Sequence, residues 1–493
     1  MRTADNAWTG RGRASQARGR GFESLCASQA ASRGHGTLRS ASPSPVCEAV
    51  SPGTMWSAVP LPTQQTVEVS SRMSKTNAPS GLGSEYHPLD SPQLENPHPF
   101  LARARSEEPV FFSPALGAWV VTRHADISAV VADTTRFSSA ESITVGAATT
   151  PPEVVTALMD GYPLVPSLVD NDPPAHGRFR SLVSKAFTGR RLAEKEPFIR
   201  TLVDALIHSF RHERQADLFL RFAHPLSCSI IAEILGIPSS DIHRFRRWSD
   251  ELSTVLAAHG PIEHQVACAQ GVVEFQRYLA STLKEREVSP REDLLSDIVT
   301  GAQGMTPPMS MAELVSLLMQ VHFAGHETTA GLIVGAVELL LEHPEQLRAL
   351  RDDPGLIAGA VEEAVRMISP VHAMFRTALE AVEIGGVPIP KGAHIRIVYA
   401  SANRDEARFH EPERFDIRRP EVKKHLAFGQ GLHFCIGAPL ARLEARLAVE
   451  ALLRSLPGLR LVPGQKPGFL RSVTVRRHES LEVAWDVQAN QAL

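Results

Sequence analysis

The sequence predicts a mainly α-helical protein with a small β portion. Helical patterns dominate from about residue 124 to residue 370, including one apolar stretch of about 30 residues with its own start and stop signals. The β-rich runs are short and lie at 110–112, 119–122, 382–392, 395–398, 473–475 and 481–484. We expect the first two runs to form a hairpin around Gly117 and the last two to pair with each other.

The composition excludes several classes of protein. The 493 residues include 51 basic and 54 acidic side chains, so charge gives no argument for a nucleic-acid partner or a membrane surface. The five cysteines are odd in number and form no CxxC pair, which disfavours a disulfide framework or a zinc cluster and favours a reducing cytoplasm. No apolar run reaches the roughly 18 residues of a transmembrane helix, so we expect no membrane anchor.

Residues 1–72 differ from the rest of the chain. They hold 8 Arg, no Lys and 4 acidic residues, and they show no sustained periodicity. This extension has three interpretations: a mitochondrial transit peptide, a native disordered tail, or a segment that is not made. We favour the last, because residues 10–24 read like a translated transfer-RNA gene, with translation starting at Met73 or, less favourably, Met55. Residues 73–95 are interpreted as a linker and 96–493 as the folded domain.

The long apolar stretch is predicted to be one central helix. Ser310-x-x-Glu313 is a capping box, and the helical pattern continues to about Glu342, where Pro344 ends it. The middle reads Ala324-Gly-His-Glu-Thr-Thr329. Its small residues would let a flat macrocycle or O2 approach the backbone. An acid and a hydroxyl at such a place are costly unless solvated, paired or used. They could bring protons to a buried oxygen ligand; the alternative is a solvated polar patch.

A glycine-punctuated loop near the C-terminus carries a single cysteine. It reads Phe428-Gly-Gln-Gly-Leu-His-Phe-Cys435-Ile-Gly437, and a helical pattern begins near Ala438–Pro439. The positive end of that helix would face the Cys435 sulfur and, with backbone N–H groups, stabilise a thiolate. Such a thiolate could be an axial ligand of haem iron. The alternative is a buried structural thiol.

Two of these segments resemble known motifs. The pattern F-G-x-G-x-H-x-C-x-G closely resembles the haem-binding loop of the cytochrome P-450 family, and A-G-x-E-T-T resembles its oxygen-activation segment. The resemblance covers about residues 95–490 and implies the cytochrome P-450 fold, with heme b (iron protoporphyrin IX) bound through Cys435. Glu327 and Thr328 would organise water and deliver protons during O2 activation. The resemblance also assigns residues that line or contact the cofactor: Ala324 and Gly325, where the helix would distort, and Phe428, Gly429 and Gly437.

The resemblance implies four donors for the two haem propionates. His176 and Arg180 stand in a segment similar to the family's D-P-P-x-H-x-x-x-R, and Arg376 and His433 match two further donors. Carboxylates need such hydrogen-bond donors. Taken singly, each of the four would more simply be a surface residue.

A Glu-x-x-Arg pair resembles the family's structural ion-pair network. Glu363 and Arg366 share a helix face, and Arg414 lies in a matching segment before the cysteine loop. We expect the three residues to brace that loop and take no part in chemistry.

The implied activity is that of a haem-thiolate monooxygenase. It would insert one atom of O2 into a C–H or C=C bond of a moderately hydrophobic small molecule, as in secondary metabolism, and reduce the other atom to water. Electrons would come from NAD(P)H through a separate ferredoxin and ferredoxin reductase, because 58 residues after Cys435 leave no room for a fused redox domain. Basic residues could steer an acidic ferredoxin: Lys423, Lys424, Arg442 and Arg446.

Substrate selection is expected in three places: the segment 140–170, Phe323, and the loop 371–374. Two rival functions fit the sequence less well. A peroxide-driven peroxygenase would not need the Glu327–Thr328 pair, so the intact pair argues against it. The complete set of motifs argues against a non-enzymatic haem sensor or a degenerate scaffold, and a sensor would need an output domain that the sequence does not suggest.

Overall fold

The computed structural model describes residues 81–143, 150–257 and 260–487. Helices make up most of this part of the chain, which confirms the predicted fold class. In chain order they are α1 His98–Glu107, α2 His124–Ala132, α3 Pro152–Leu158, α4 Ala175–Val183, α5 Gly189–Phe210, α6 His224–Leu235, α7 Ile242–Ala257, α8 Ile262–Val288, α9 Leu294–Gln303, α10 Met311–Glu342, α11 Pro344–Asp352, α12 Ile357–Ile368, α13 Tyr399–Ala402 and α14 Ala438–Ser455.

The strands form three small sheets. They are β1 Val110–Ser113, β2 Ala118–Val121, β3 Phe137–Ser138, β4 Gln215–Asp217, β5 Met374–Ala378, β6 Val382–Ile384, β7 Val387–Ile389, β8 His394–Ile397, β9 Arg460–Leu461 and β10 Glu482–Ala484. The largest sheet has the order β1-β2-β8-β5-β3, with β2 and β8 parallel and the other neighbours antiparallel. The hairpin predicted around Gly117 is confirmed: β1 pairs with β2, and Gly117 adopts a φ of 59°.

The predicted pairing of the last two β-rich runs is wrong. Strand β10 pairs with β4 and β9, which come from elsewhere in the chain. Val475 makes only an isolated bridge with Val371, and the carbonyl of Thr474 accepts a hydrogen bond from the His372 N–H at 2.7 Å. Alternating apolar residues indicate an extended segment but not its partner, and here residues 473–475 run beside the loop after α12.

The predicted linker 73–95 needs correction over its described part. Leu82 and Tyr86 are buried and pack with Leu101 and Phe111 in one apolar cluster. The Tyr86 hydroxyl also accepts a hydrogen bond from Arg396 of β8 at 3.2 Å. Residues 81–95 therefore belong to the folded domain. The extension 1–72 lies outside the described residues, and its interpretation stays a prediction.

Helix α10 is the central element of the helical part. Its capping box is present: Ser310 and Glu313 exchange side-chain to backbone hydrogen bonds. The helix ends at Glu342, as predicted, and Pro344 also begins the next helix. It contributes to the main apolar core together with α5, α6, α12 and α14. Within the described ranges, no helix is both long enough and apolar enough to cross a membrane.

Candidate active site

The loop before α14 holds Cys435 in place. Gly429 and Gly431 have φ of 68° and 69°, in the left-handed region that favours glycine, so the backbone turns back on itself. The Cys435 N–H then donates to the carbonyl oxygen of Phe428 at 2.9 Å and closes the loop. A Cβ on Gly437 would lie 3.9 Å from the Cys435 sulfur. The loop therefore fixes the cysteine and leaves its sulfur uncrowded.

The surroundings of Cys435 act on the protonation of its thiol in two directions. Helix α14 begins three residues later, with Pro439 in its first turn, as predicted. Cys435 is exposed, so a ligand can reach its sulfur. Burial raises the pKa of the Cys435 thiol, while the backbone N–H groups of Gly437 and Ala438 and the charge of Arg180 act in the opposite direction. A metal cation at this sulfur would remove the proton outright.

The structure brings the four predicted propionate donors together. The rings of His176 and His433 lie 4.4 Å apart, and both ring nitrogens of His176 and Nε2 of His433 lack a hydrogen-bond partner among the described residues. Burial, with the charges of Arg376 and Arg180 nearby, lowers the pKa of His433 to about 4. Each arginine donates to one backbone carbonyl oxygen, at 2.7 Å and 2.8 Å, and has further N–H groups to offer.

These features fit a haem. Buried polar nitrogens without partners are rare unless a ligand or water satisfies them. The haem carboxylates would accept from the two histidines and two arginines, and its iron would take the Cys435 sulfur. The fold and the site together define a haem-thiolate protein.

The buried ion-pair network that we expected to brace the cysteine loop differs from the prediction in its third member. Glu363 and Arg366 form a fully buried pair, with two bonds of 2.8 Å. Its third member is Arg419, whose Nε donates to Glu363 at 2.9 Å. Arg414, the expected third member, points its side chain outward to Glu411 and contributes only its backbone carbonyl, which accepts from Arg366 and Arg419. A tight turn at Glu411, with a φ of 45°, directs the Arg414 side chain to the surface.

Glu327 is buried on the side of α10 that faces α7. Its Oε1 accepts from the Ser253 hydroxyl at 2.7 Å, and its carboxylate forms an ion pair with Arg477. Burial alone would raise the pKa of Glu327, but His326 and Arg477 outweigh it and hold the pKa well below its usual value. The group is therefore a carboxylate that its neighbours keep ionised in the core.

Thr328 lies on another face of α10, because successive residues in a helix are about 100° apart. Its hydroxyl donates to the Ala324 carbonyl at 2.9 Å, and Ala324 is exposed although most of this helix is buried. Gly325 faces α6 instead: a Cβ there would lie 2.8 Å from Ile231. The helix runs through this segment without a break, so the distortion expected there is not seen.

Sequence reasoning missed Ser253, Arg477 and His224 as neighbours of Glu327. Ser253 lies on α7 and Arg477 in the C-terminal segment. A ring nitrogen of His224, at the start of α6, lies within 4.8 Å of Glu327 and of His326. No local pattern marks these residues, because each is separated from Glu327 by about 70 or more positions.

Comparison with known proteins agrees with this class. A family model described as Cytochrome P450 matches residues 355–466. Cytochrome P450 107B1 of Saccharopolyspora erythraea is 37% identical over 412 residues, covering 80% of this chain and 96% of the relative. Cytochrome P450 monooxygenase PikC of Streptomyces venezuelae is 37% identical over 398 residues, covering 79% and 91%. The P450 heme domain of Tepidiphilus thermophilus has 31% identity and a TM-score of 0.77, covering 82% and 97%.

The chain belongs to the cytochrome P450 family and is similar to bacterial members that cover most of its length. It is a cytochrome P450 monooxygenase, which uses haem iron and O2.

Proposed function

We propose that this monooxygenase hydroxylates or epoxidises a moderately hydrophobic small molecule of secondary metabolism, using heme b and two electrons from a separate ferredoxin and its NAD(P)H-dependent reductase. The observation that carries the proposal is the buried, ionised Glu327 next in sequence to Thr328, whose half-buried hydroxyl lies on another face of α10. Relatives named 6-deoxyerythronolide B hydroxylase and Mycinamicin IV hydroxylase/epoxidase support both reaction types.

The side chains of this protein have three tasks in the proposed mechanism. When bound, haem supplies the redox chemistry that splits O2 between substrate and water. Cys435 would anchor the cofactor, and the donors around His176 and His433 would hold its carboxylates. The third task is proton delivery, which falls to Glu327 and Thr328.

Proton delivery uses the two faces of α10. The Glu327 carboxylate accepts a proton on the α7 side. The Thr328 hydroxyl, which donates to the Ala324 carbonyl, keeps lone pairs that accept from water on the accessible face. A hydroxyl can accept one proton while it donates another, so Thr328 can orient the last water of the path.

The carbon monoxide difference spectrum of the dithionite-reduced protein tests the site. We expect a far red-shifted Soret band, which reports a thiolate ligand. Cys435→Ser should abolish this band, whereas Cys228→Ser should retain it because Cys228 is buried in the apolar core. A band at shorter wavelength in the unchanged protein would contradict the proposal.

Of the four basic residues expected to steer a ferredoxin, two lysines remain as candidates. Arg442 donates twice to Glu362 at 2.7 Å, and Arg446 lies within 3.6 Å of an acidic side chain, so both are already paired. Lys423 and Lys424 are exposed and form no ion pair within the described part of the chain. Reversing both lysine charges to Glu should raise the KM for an acidic ferredoxin at low salt, and the effect should fade at high salt. An unchanged KM would remove these lysines from the proposal.

The cytoplasmic location stays a prediction.

A further inference from the structure

A group of polar side chains from α6, α7 and α10 has no task in the mechanism above. It contains His224 at the start of α6, His326 on α10, and Asp250 on α7. One ring nitrogen of each histidine and one oxygen of Glu327 lie within 4.8 Å of one another, and all three residues are buried. A single turn of π-helix, Phe219–Ala223, runs directly into α6 and sets the position of His224.

Asp250 connects this group to solvent. Its side chain is 70% exposed, and its Oδ1 lies 3.5 Å from Nε2 of His224. That nitrogen is buried and has no hydrogen-bond partner among the described residues. A carboxylate in water thus stands next to a buried imidazole, and the imidazole stands next to the buried carboxylate of Glu327.

Contacts fix the role of His326. Its Nδ1 lies 2.9 Å from the His322 carbonyl oxygen, which can only accept, so Nδ1 carries the proton. In the neutral ring Nε2 is then an acceptor, and the Ser249 hydroxyl donates to it. Because both nitrogens of His326 are engaged, the ring left to carry a proton inward is His224.

Building on the proposed role of Glu327, we propose that Asp250 and His224 form the proton uptake route to Glu327, with His326 as a positioning residue. Asp250 takes a proton from water. His224 takes up that proton at a ring nitrogen, and a proton passes from the ring to the Glu327 carboxylate across a gap of up to 4.8 Å that one water would bridge. One proton moves inward in each cycle, and no electrons move.

The surrounding charges suit such a route. Burial, with the charges of Arg477 and Arg246, lowers the pKa of His224 to about 4, and Glu327 acts in the opposite direction. The ring is therefore neutral at pH 7 and has one nitrogen that accepts and one that donates. A metal ion at the same place is disfavoured, because the Glu327 oxygens already accept from Arg477 and Ser253.

The first test reads proton exchange without turnover. In the full chain labelled with 15N-histidine, as the diamagnetic ferrous carbonyl, NMR would measure exchange of ring N–H protons with water. His322 is a matched control, because it is buried and both its nitrogens lack partners, yet it lies off the route. We expect His224 to exchange faster than His322, and Asp250→Asn to slow His224 alone by roughly tenfold. Equal rates for His224 in both proteins would overturn the proposal.

The second test uses the haem-loaded enzyme with a plant-type ferredoxin and its reductase, without added substrate. The readouts are the rate of O2 consumption and its solvent deuterium isotope effect. Asp250→Asn and His224→Phe should lower the rate by roughly tenfold and increase the isotope effect, whereas Asp250→Glu should keep both near the original. Glu251→Gln, a neighbouring acid on α7 that is paired with Arg247, should change neither.

Glu327→Gln, measured in parallel, distinguishes a failure of the uptake route from a failure of the role proposed for Glu327. If Glu327→Gln slows O2 consumption and Asp250→Asn does not, the uptake route is wrong and the role of Glu327 stands. If Glu327→Gln has no effect, the proposed role of Glu327 fails, and the uptake route fails with it.

Discussion

Arg419 should be far more important for stability than Arg414, although both lie in the same irregular segment. The Arg419 side chain is 5% exposed and donates to Glu363 at 2.9 Å. It also donates to three backbone carbonyl oxygens, those of residues 410, 411 and 414. The Arg414 side chain is 58% exposed and bonds only to Glu411, at 3.0 Å. The perturbation is therefore a pair of matched substitutions, Arg419→Ala and Arg414→Ala.

The two substitutions differ in expected magnitude. Removing one member of a buried ion pair costs about 3–5 kcal/mol, because the remaining charge and its hydrogen-bond partners lose their compensation. Arg366 still pairs with Glu363 in the Arg419→Ala protein, so we expect the lower end, about 3 kcal/mol. An exposed pair such as Arg414–Glu411 contributes roughly 0–1 kcal/mol.

The assay is urea unfolding of the haem-loaded protein, followed both by fluorescence and by the thiolate Soret band of the carbonyl complex. Arg419→Ala should lower the free energy of unfolding and release haem at lower urea, because the network braces the cysteine loop. Arg414→Ala should match the unchanged protein within about 1 kcal/mol. Equal losses for the two variants, or a larger loss for Arg414→Ala, would refute the reasoning.

Three further predictions follow from single residues. Burial raises the pKa of Glu444 well above its usual value. The folded state therefore holds a proton that the unfolded chain releases above about pH 4.5, so the free energy of unfolding falls as pH rises. In urea unfolding, Glu444→Gln should stabilise the protein more at pH 8 than at pH 5. Gly429→Ala should cost about 1–2 kcal/mol in the same assay, because φ is 68° and the added Cβ meets nothing closer than 3.6 Å. A negligible cost would show that the loop relaxes. Thr328→Ala should raise the fraction of O2 that is released as peroxide. Thr329→Ala is the control: it loses a hydrogen bond to the Gly325 carbonyl and should leave this fraction unchanged. Equal fractions in the two variants would contradict the role given to Thr328.

Features set by neighbouring residues could be predicted from the sequence. The start of α10 follows from Ser310 and Glu313, which lie three positions apart and bond within one turn. The hairpin at Gly117 and the start of α14 beside Cys435 are equally local. In each case the sequence contains both the residues and their partners, so the rule needs no knowledge of the rest of the fold.

Features that depend on distant segments could not be predicted in this way. Arg414 and Arg419 are five positions apart in a segment without regular structure, and only the path of the backbone decides which one reaches Glu363. Strand β10 pairs with β4, whose residues lie more than 260 positions earlier in the chain. His224 is about 100 positions from Glu327 and becomes its neighbour only because α6 packs against α10.

The single uninterrupted run of α10 restricts how the length of this protein can change in evolution or in the laboratory. An inserted or deleted residue between the capping box and Glu327 would turn everything beyond it by about 100°. After a deletion Thr328 would take the place of Glu327 against α7, and after an insertion His326 would take it. In both cases the glycine that allows α6 to approach at Ile231 would move away. We therefore expect variation in length to fall in the loops, and alignments of related chains to place no gap within residues 311–342.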